Sequence, residues 1–288
     1  MINQEYQYLN LIRKIIKNGN LVKTRNGNVK NIFGSQMRFS LENNTIPIVT
    51  TKKLPWKVCL KELLWFVSGK TNNKILKNQN VKIWNGNASR EFLDSRKLYE
   101  LKEDDLGPIY GHQWRYYNAS YLGCDVDYTG CGEDQLQNSI DLLKKDPYSR
   151  RNIITAWNPE QINEMALPPC HILMQFHVSQ KNKLSLSLYQ RSADIALGVP
   201  FNIASYSFLV HMIGILTDLK PHEFIYNIGD AHIYEEHIND LSIQLDRIPY
   251  KFPVLELQNR QNINDFKLSD FSINEYKFHP SIKMKMII

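Results

Sequence analysis

The sequence predicts an α+β fold in a single domain spanning residues 1–288. Three observations carry this. Strand and helix patterns mix without βαβ regularity, hydrophobic residues (43%) and aromatics (11%) suffice for a sizeable core, and no change of composition marks a linker. Residues 6–17 read as an amphipathic helix, with Leu9, Ile12, Ile15 and Ile16 on one stripe and Gly19 placed to end it. The Asn-Gly in Arg25-Asn26-Gly27-Asn28 predicts a hairpin turn before strand-like segments at 32–34 and 37–39. A helix follows over 56–67, closed by Gly69. Residues 84–128 lose periodicity and gather Asn, Gly, Asp and Tyr, as a long functional surface region does. Residues 134–145 read as a helix stopped by Pro147. Strands are expected over 171–178 and 184–189, each with apolar residues at every second position. A buried helix is expected over 202–216, just past Pro200.

The net charge of +6 suggests anionic partners without choosing among a nucleotide, an RNA and a solubility bias. The lysines are scattered, whereas nucleic-acid binders usually gather them on one face. Cys59, Cys124, Cys131 and Cys170 form no CxxC pair and no metal-ligand spacing, so no metal is expected and a reduced, cytoplasmic protein fits. The N-terminus lacks a basic segment followed by an apolar core, so no secretory signal is expected. Nor is a membrane span, because the most apolar stretch, 207–216, is short and contains His211.

Chemistry is most legible at Leu167-Pro168-Pro169-Cys170-His171. Two prolines fix φ and remove N–H donors, which excludes a helix and restricts the orientation of Cys170. A lone cysteine is ordinarily an inert, buried thiol. Here the following strand pair delivers Gln190-Arg191-Ser192-Ala193-Asp194 toward it, and an adjacent guanidinium is expected to lower the thiol pKa and favour the nucleophilic thiolate. Arg191-Ser192 and Ser149-Arg150-Arg151 both read as loop positions suited to a phosphate. Glu62 has Val58, Cys59, Trp65 and Phe66 as its helical neighbours, so desolvation should raise its pKa toward general acid/base use; a core ion pair is the competing reading. His232 and Tyr234 share one side of an extended segment and could hold a sugar hydroxyl or simply be satisfied in the core. Together these groups suggest a site for a phosphorylated, hydroxylated small molecule.

Ordered motifs along nearly the whole chain closely resemble folate-dependent thymidylate synthases. They include Phe33-Gly34-x-Gln36-x-Arg38, Thr50-Thr51-Lys52, Glu62-Leu63-Leu64-Trp65-Phe66, Lys82-Ile83-Trp84, Tyr110-Gly111-His112-Gln113-Trp114-Arg115, Pro168-Pro169-Cys170-His171, Gln190-Arg191-Ser192-x-Asp194, Gly198-x-Pro200-Phe201-Asn202 and His232-Ile233-Tyr234. The resemblance implies a large mixed sheet packed with helices, in a homodimer whose subunits meet sheet to sheet. It implies deoxyuridylate (dUMP) and 5,10-methylenetetrahydrofolate as substrates. Cys170 would add to C6 of the pyrimidine, Glu62 would relay protons around O4, Tyr110 would assist removal of the C5 proton, and Asn202 would read the base. Arg25, Arg191 and Ser192 would hold the phosphate, with Arg150 and Arg151 reaching it from the partner subunit, while His232 and Tyr234 would grip the 3′-hydroxyl. Asp194 would serve the nucleotide and the pterin ring. Ile83, Trp84, Leu167, Gly198, Phe201 and Ile287 would wall the folate pocket, with Lys52 near the folate's glutamate tail.

Two departures accompany the resemblance. The loop after Arg25 is shorter than the family's Arg-Thr-x-Thr-Gly, and Met284-Lys285-Met286-Ile287-Ile288 is bulkier than the family's small-residue ending. With no reductase domain before Met1, the sequence resembles the monofunctional form. The competing expectations are a pyrimidine nucleotide hydroxymethylase that quenches the methylene with water, an additional RNA-binding role, and a cysteine hydrolase. Trp84 and the apolar C-terminus argue for water exclusion and so for reduction.

Overall fold

The computed structural model describes residues 3–287. Helix α1 (Tyr6–Asn18) buries Tyr8, Leu9, Leu11, Ile12 and Ile15, the stripe its spacing requires. Strands β1 (Asn20–Thr24) and β2 (Gly27–Ser40) form a hairpin in which Thr24 faces Gly27, leaving Arg25 and Asn26 at the tip. Gly27 takes a φ of +129°, where a Cβ would be strained. The two segments expected at 32–34 and 37–39 are one continuous strand of 14 residues. Helix α2 (Trp56–Val67) carries Glu62, and the chain turns away at Gly69 with φ of +70°.

The region after α2 is more regular than its composition suggests. It contains α3 (Asn73–Lys77), α4 (Arg90–Ser95) and α5 (Tyr110–Arg115), helices too short to display a 3.6-residue period. Helix α6 (Gln135–Lys145) begins at Asp134, whose carboxylate accepts the Gln137 N–H at 3.0 Å.

Next come β3 (Ile153–Thr155), β4 (His171–Ser179), β5 (Lys183–Asp194), α7 (Gly198–Thr217), β6 (Lys220–Tyr234), α8 (Ile238–Leu245), β7 (Val254–Leu257) and β8 (Phe271–Asn274). The main sheet has the order β1-β2-β6-β5-β4-β3, and β7 pairs with β8 separately. All neighbours are antiparallel except β5 and β6. The sheet is therefore mixed, and β5-α7-β6 is a βαβ unit that the sequence reading did not detect. The expected pairing of the strands after Cys170 and before Arg191 is present as β4 and β5.

Helix α7 starts at Gly198 rather than Asn202, with Pro200 inside its first turn, where a missing N–H breaks no intrahelical bond. Its 20 residues make it long and apolar enough to cross a membrane by length and composition alone, contrary to the short stretch expected. Yet 83% of its most apolar window is buried, since it packs on β5 and β6 and beside α2. A helix surrounded by core needs no polar face. On the helix-covered side of the sheet, Met37, Phe39, Leu186, Leu188, Phe224 and Ile228 are buried, whereas Arg38, Leu173 and Tyr189 are exposed on the other.

Candidate active site

Residues far apart in sequence line one cavity of about 450 Å³: Arg25, Arg191, Ser192, His232 and Tyr234 among them. Sheet register assembles it. Tyr234 pairs with Val29 and His232 with Asn31 of β2, while Asp194 pairs with His232 across the parallel β5–β6 ladder. The hairpin tip thereby brings Arg25 to the cavity despite its short loop. Arg191 and Ser192 lie within β5, not in a loop, because the strand continues to Asp194.

The proline turn shapes the nucleophile's surroundings. Arg191 Nε donates to Pro169 O at 2.8 Å and Nη2 donates to Pro168 O at 3.0 Å, clamping the guanidinium beneath the turn. Its Nη2 lies 3.8 Å from Cys170 Sγ, and its backbone N–H donates to Cys170 O at 2.8 Å. On the other side, the Cys170 backbone N–H donates to Tyr110 Oη at 2.6 Å. The expected depression of the thiol pKa is reversed. Burial raises it, and the opposing influences of Arg191 and Tyr110 are smaller. His171 is no base for this thiol: burial pulls its pKa down to about 3, its ring stacks on Tyr110 at 4.1 Å, and Tyr206 meets its Nδ1 at 2.5 Å. A Cys–His hydrolytic pair is therefore not built here.

Glu62 faces this cluster from α2. Burial pushes its carboxyl up to about 7, against the bond it accepts from Trp84 Nε1 at 2.7 Å. The Trp84 ring that meets it packs in turn with Phe66 and Tyr110, the three rings lying 4.8–6.4 Å apart between centroids. Desolvation, not ion pairing with an arginine, sets its chemistry. At the start of α7, a Cβ on Gly198 would lie 3.7 Å from Asp194 Cβ and 3.8 Å from Asn202 Oδ1, so this glycine sits between those two side chains. Asp194 Oδ1 itself accepts the Ala196 N–H at 2.8 Å. Trp84 is buried, and Ile83, Leu167 and Phe201 are half-buried against the core, apolar surface suited to a planar ring. Lys52 is buried; its Nζ donates to Ala196 O at 2.6 Å, and burial lowers its pKa to about 8.

Other expected residues do not converge within the chain. Arg150 and Arg151 are exposed on the turn before β3, outside the cavity. Ile287 is half-buried in the C-terminal segment, which His237 Nε2 holds through Lys285 O at 2.8 Å; Ile288 lies outside the described residues. Among the described residues, no group of three His, Cys, Asp or Glu side chains is arranged to hold a metal ion.

Against known proteins, the model of the family described as thymidylate synthase matches residues 6–288. The chain belongs to the thymidylate synthase family. It is 49% identical to a thymidylate synthase of Saccharomyces cerevisiae, covering 99% of this chain and 97% of that one. It is also 48% identical to a bifunctional dihydrofolate reductase-thymidylate synthase of Leishmania amazonensis and 49% identical to one of Zea mays, covering 99% of this chain in both cases. The chain spans about half the length of these bifunctional relatives, 56% and 55% respectively.

Within this thymidylate synthase fold, the sequence reading missed several supporting groups. Asp230 Oδ1 lies 3.0 Å from His232 Nδ1, which directs Nε2 elsewhere, and Asn31 Nδ2 donates to Asp230 Oδ2 at 2.6 Å. Asp230 had a signal, the two-residue period it shares with His232 and Tyr234; Asn31, on another strand, had none. Gln190 was marked only as part of its motif, with no partner assigned, and Tyr226 was silent.

Proposed function

We propose that the protein catalyses reductive methylation of dUMP to thymidylate, with 5,10-methylenetetrahydrofolate supplying the one-carbon unit and the hydride and leaving as dihydrofolate. The observation that carries this reading is a clamped Cys170 beside a cavity bearing Arg25, Arg191, Ser192, His232 and Tyr234, in a chain of this family. The arginines and Ser192 hold the phosphate, and His232 and Tyr234 hold the 3′-hydroxyl. Asn202 reads the uracil edge. Cys170 Sγ bonds to C6, and the electron pair of the C5–C6 double bond moves toward O4, where the proton held near Glu62 meets the growing negative charge. The C5 carbon then bonds the methylene carbon of the folate. Loss of the C5 proton, assisted by Tyr110, breaks that carbon's bond to the folate nitrogen and leaves an exocyclic methylene, which takes the folate's hydride as the C6–S bond breaks and dihydrofolate leaves. Trp84, Ile83, Leu167, Gly198, Phe201 and Ile287 form the folate wall, Asp194 bonds the pterin, and Lys52 lies toward the glutamate tail.

The second element of the proposal is a homodimer formed through the exposed sheet face. Leu173 and Tyr189 supply apolar surface there, and Gln175 on β4 bonds Arg150 O at 3.5 Å, which sets the Arg150–Arg151 turn at the edge of that face. A partner docked on it receives both arginines at its phosphate site. The four free thiols suit the reducing cytoplasm.

The deciding assay mixes the protein with dUMP and methylenetetrahydrofolate and follows dihydrofolate absorbance with product analysis. Thymidylate with dihydrofolate is the expected result; a hydroxymethyl nucleotide with tetrahydrofolate, or no product, overturns the proposal.

A further inference from the structure

The buried phenol of Tyr226 stands between Asn202 and a carboxamide to which the proposed chemistry gives no role. Its oxygen is 2.5 Å from Gln190 Oε1 and 3.4 Å from Asn202 Oδ1. Tyr226 and Gln190 are both buried, and burial keeps the phenol neutral, with one proton to give. Gln190 is oriented from its other end, because its Nε2 donates to the Ser192 carbonyl at 2.9 Å. That bond turns Oε1, an obligate acceptor, toward the phenol. The shorter contact therefore takes the Tyr226 proton, and the phenol oxygen meets Asn202 with lone pairs alone. An amide oxygen placed against those lone pairs gains nothing, whereas an amide nitrogen placed there donates a hydrogen bond.

We propose that Tyr226 is a specificity-determining positioning residue, which, with its proton committed to Gln190, turns the Asn202 amide nitrogen toward itself and so fixes the donor–acceptor order shown to the base. The inference rests on the reading that Asn202 recognises the pyrimidine. Uracil presents an acceptor at O4 and a donor at N3–H; cytosine presents a donor at the 4-amino group and an acceptor at N3. A freely flipping carboxamide serves either base, and a locked one serves only one. Discrimination against deoxycytidylate thus depends on a chain running from the Ser192 carbonyl at the phosphate cavity through Gln190 and Tyr226 to Asn202.

The test measures the ratio of kcat/KM for dUMP and deoxycytidylate in competition, with competitive binding of each nucleotide, for the unmodified protein and for Tyr226→Phe, Gln190→Met and Asn202→Asp. Tyr226→Phe removes the lock, and Gln190→Met frees the phenol proton to serve Asn202 Oδ1. Both should lower the dUMP preference by about tenfold, the worth of roughly one hydrogen bond, with deoxycytidylate binding tightening relative to dUMP. If Tyr226→Phe does not fold, Gln190→Met decides alone. An unchanged ratio in the lock variants, in a protein whose Asn202→Asp variant does shift it, overturns the role of Tyr226 and leaves base reading by Asn202 standing. An unchanged ratio in all three overturns both.

Discussion

Cys170 carries a raised thiol pKa although a guanidinium lies within 3.8 Å, so proximity of charge does not by itself create a standing thiolate. In the proposed reaction, attack on C6 is therefore coupled to loss of the thiol proton, with Arg191 and Tyr110 favouring the anion as it forms. A serine hydroxyl is far less acidic than even a raised thiol. Cys170→Ser should accordingly lose nearly all turnover while still binding dUMP in equilibrium titration; substantial residual turnover would remove Cys170 as nucleophile. Glu62 offers a prediction with a pH signature. Its carboxyl is raised from 4.5 to about 7, so the folded protein holds that proton more tightly than the unfolded chain. The stabilisation is full below the unfolded value and is lost as pH rises through about 7. Glu62→Gln, uncharged throughout, should therefore gain thermal stability relative to the unmodified protein at alkaline pH, with the gap closing toward about pH 4–5, where an ordinary carboxyl protonates. Its kcat should fall severely with a smaller change in dUMP affinity. Parallel Tm curves across pH would return Glu62 to an electrostatically ordinary environment.

At the scale of elements, α5 begins with Tyr110, whose hydroxyl meets Cys170, and the turn before it is held by a close backbone approach. Gly107 has φ of +72°, and a Cβ there would lie 2.2 Å from Glu164 O. The adjoining Ala166 N–H donates to Leu106 O at 3.0 Å, so this turn ties Tyr110 to the segment that ends in Cys170. Gly107→Ala should destabilise the fold by about 2–4 kcal/mol, combining unfavourable φ with a backbone clash. It should also reduce kcat more than dUMP affinity by pulling Tyr110 away from Cys170. Chemical denaturation and steady-state kinetics on the same preparation check both; an unchanged midpoint would show that the turn can yield. The sequence marked the 56–67 and 134–145 helices because each repeats its apolar stripe over several turns. It did not mark α5, whose six residues span less than two turns.

At the scale of the whole molecule, Arg150 and Arg151 lie outside their own chain's cavity, and only the proposed dimer would carry them to a phosphate. That proposal has a direct test. Arg151→Glu and Cys170→Ala homodimers should each be nearly inactive, whereas subunit exchange creates a mixed dimer with one site that is unaltered at both positions. Activity should rise toward about a quarter of the unmodified level if exchange is random and the two sites act independently, a geometric consequence of a two-fold interface. Mixed dimers verified by mass spectrometry that stay inactive would end the shared-site proposal.

The sequence by itself determined the α+β class and the long amphipathic helices and marked Cys170, Glu62, Arg191, His232 and Tyr234 as candidates, because proline stiffness, period and side-chain chemistry are local properties. Tertiary structure decided what those residues experience. Parallel pairing of β5 with β6 brought Asp194 beside His232, and burial overrode Arg191 at the Cys170 thiol. It also decided that α7, apolar on every side, lies inside the protein. Asn31 and Tyr226, and the bond between Tyr226 and Gln190, became visible only in the folded chain, since a hydrogen bond between residues on different strands depends on sheet register, and register follows from packing across the whole core.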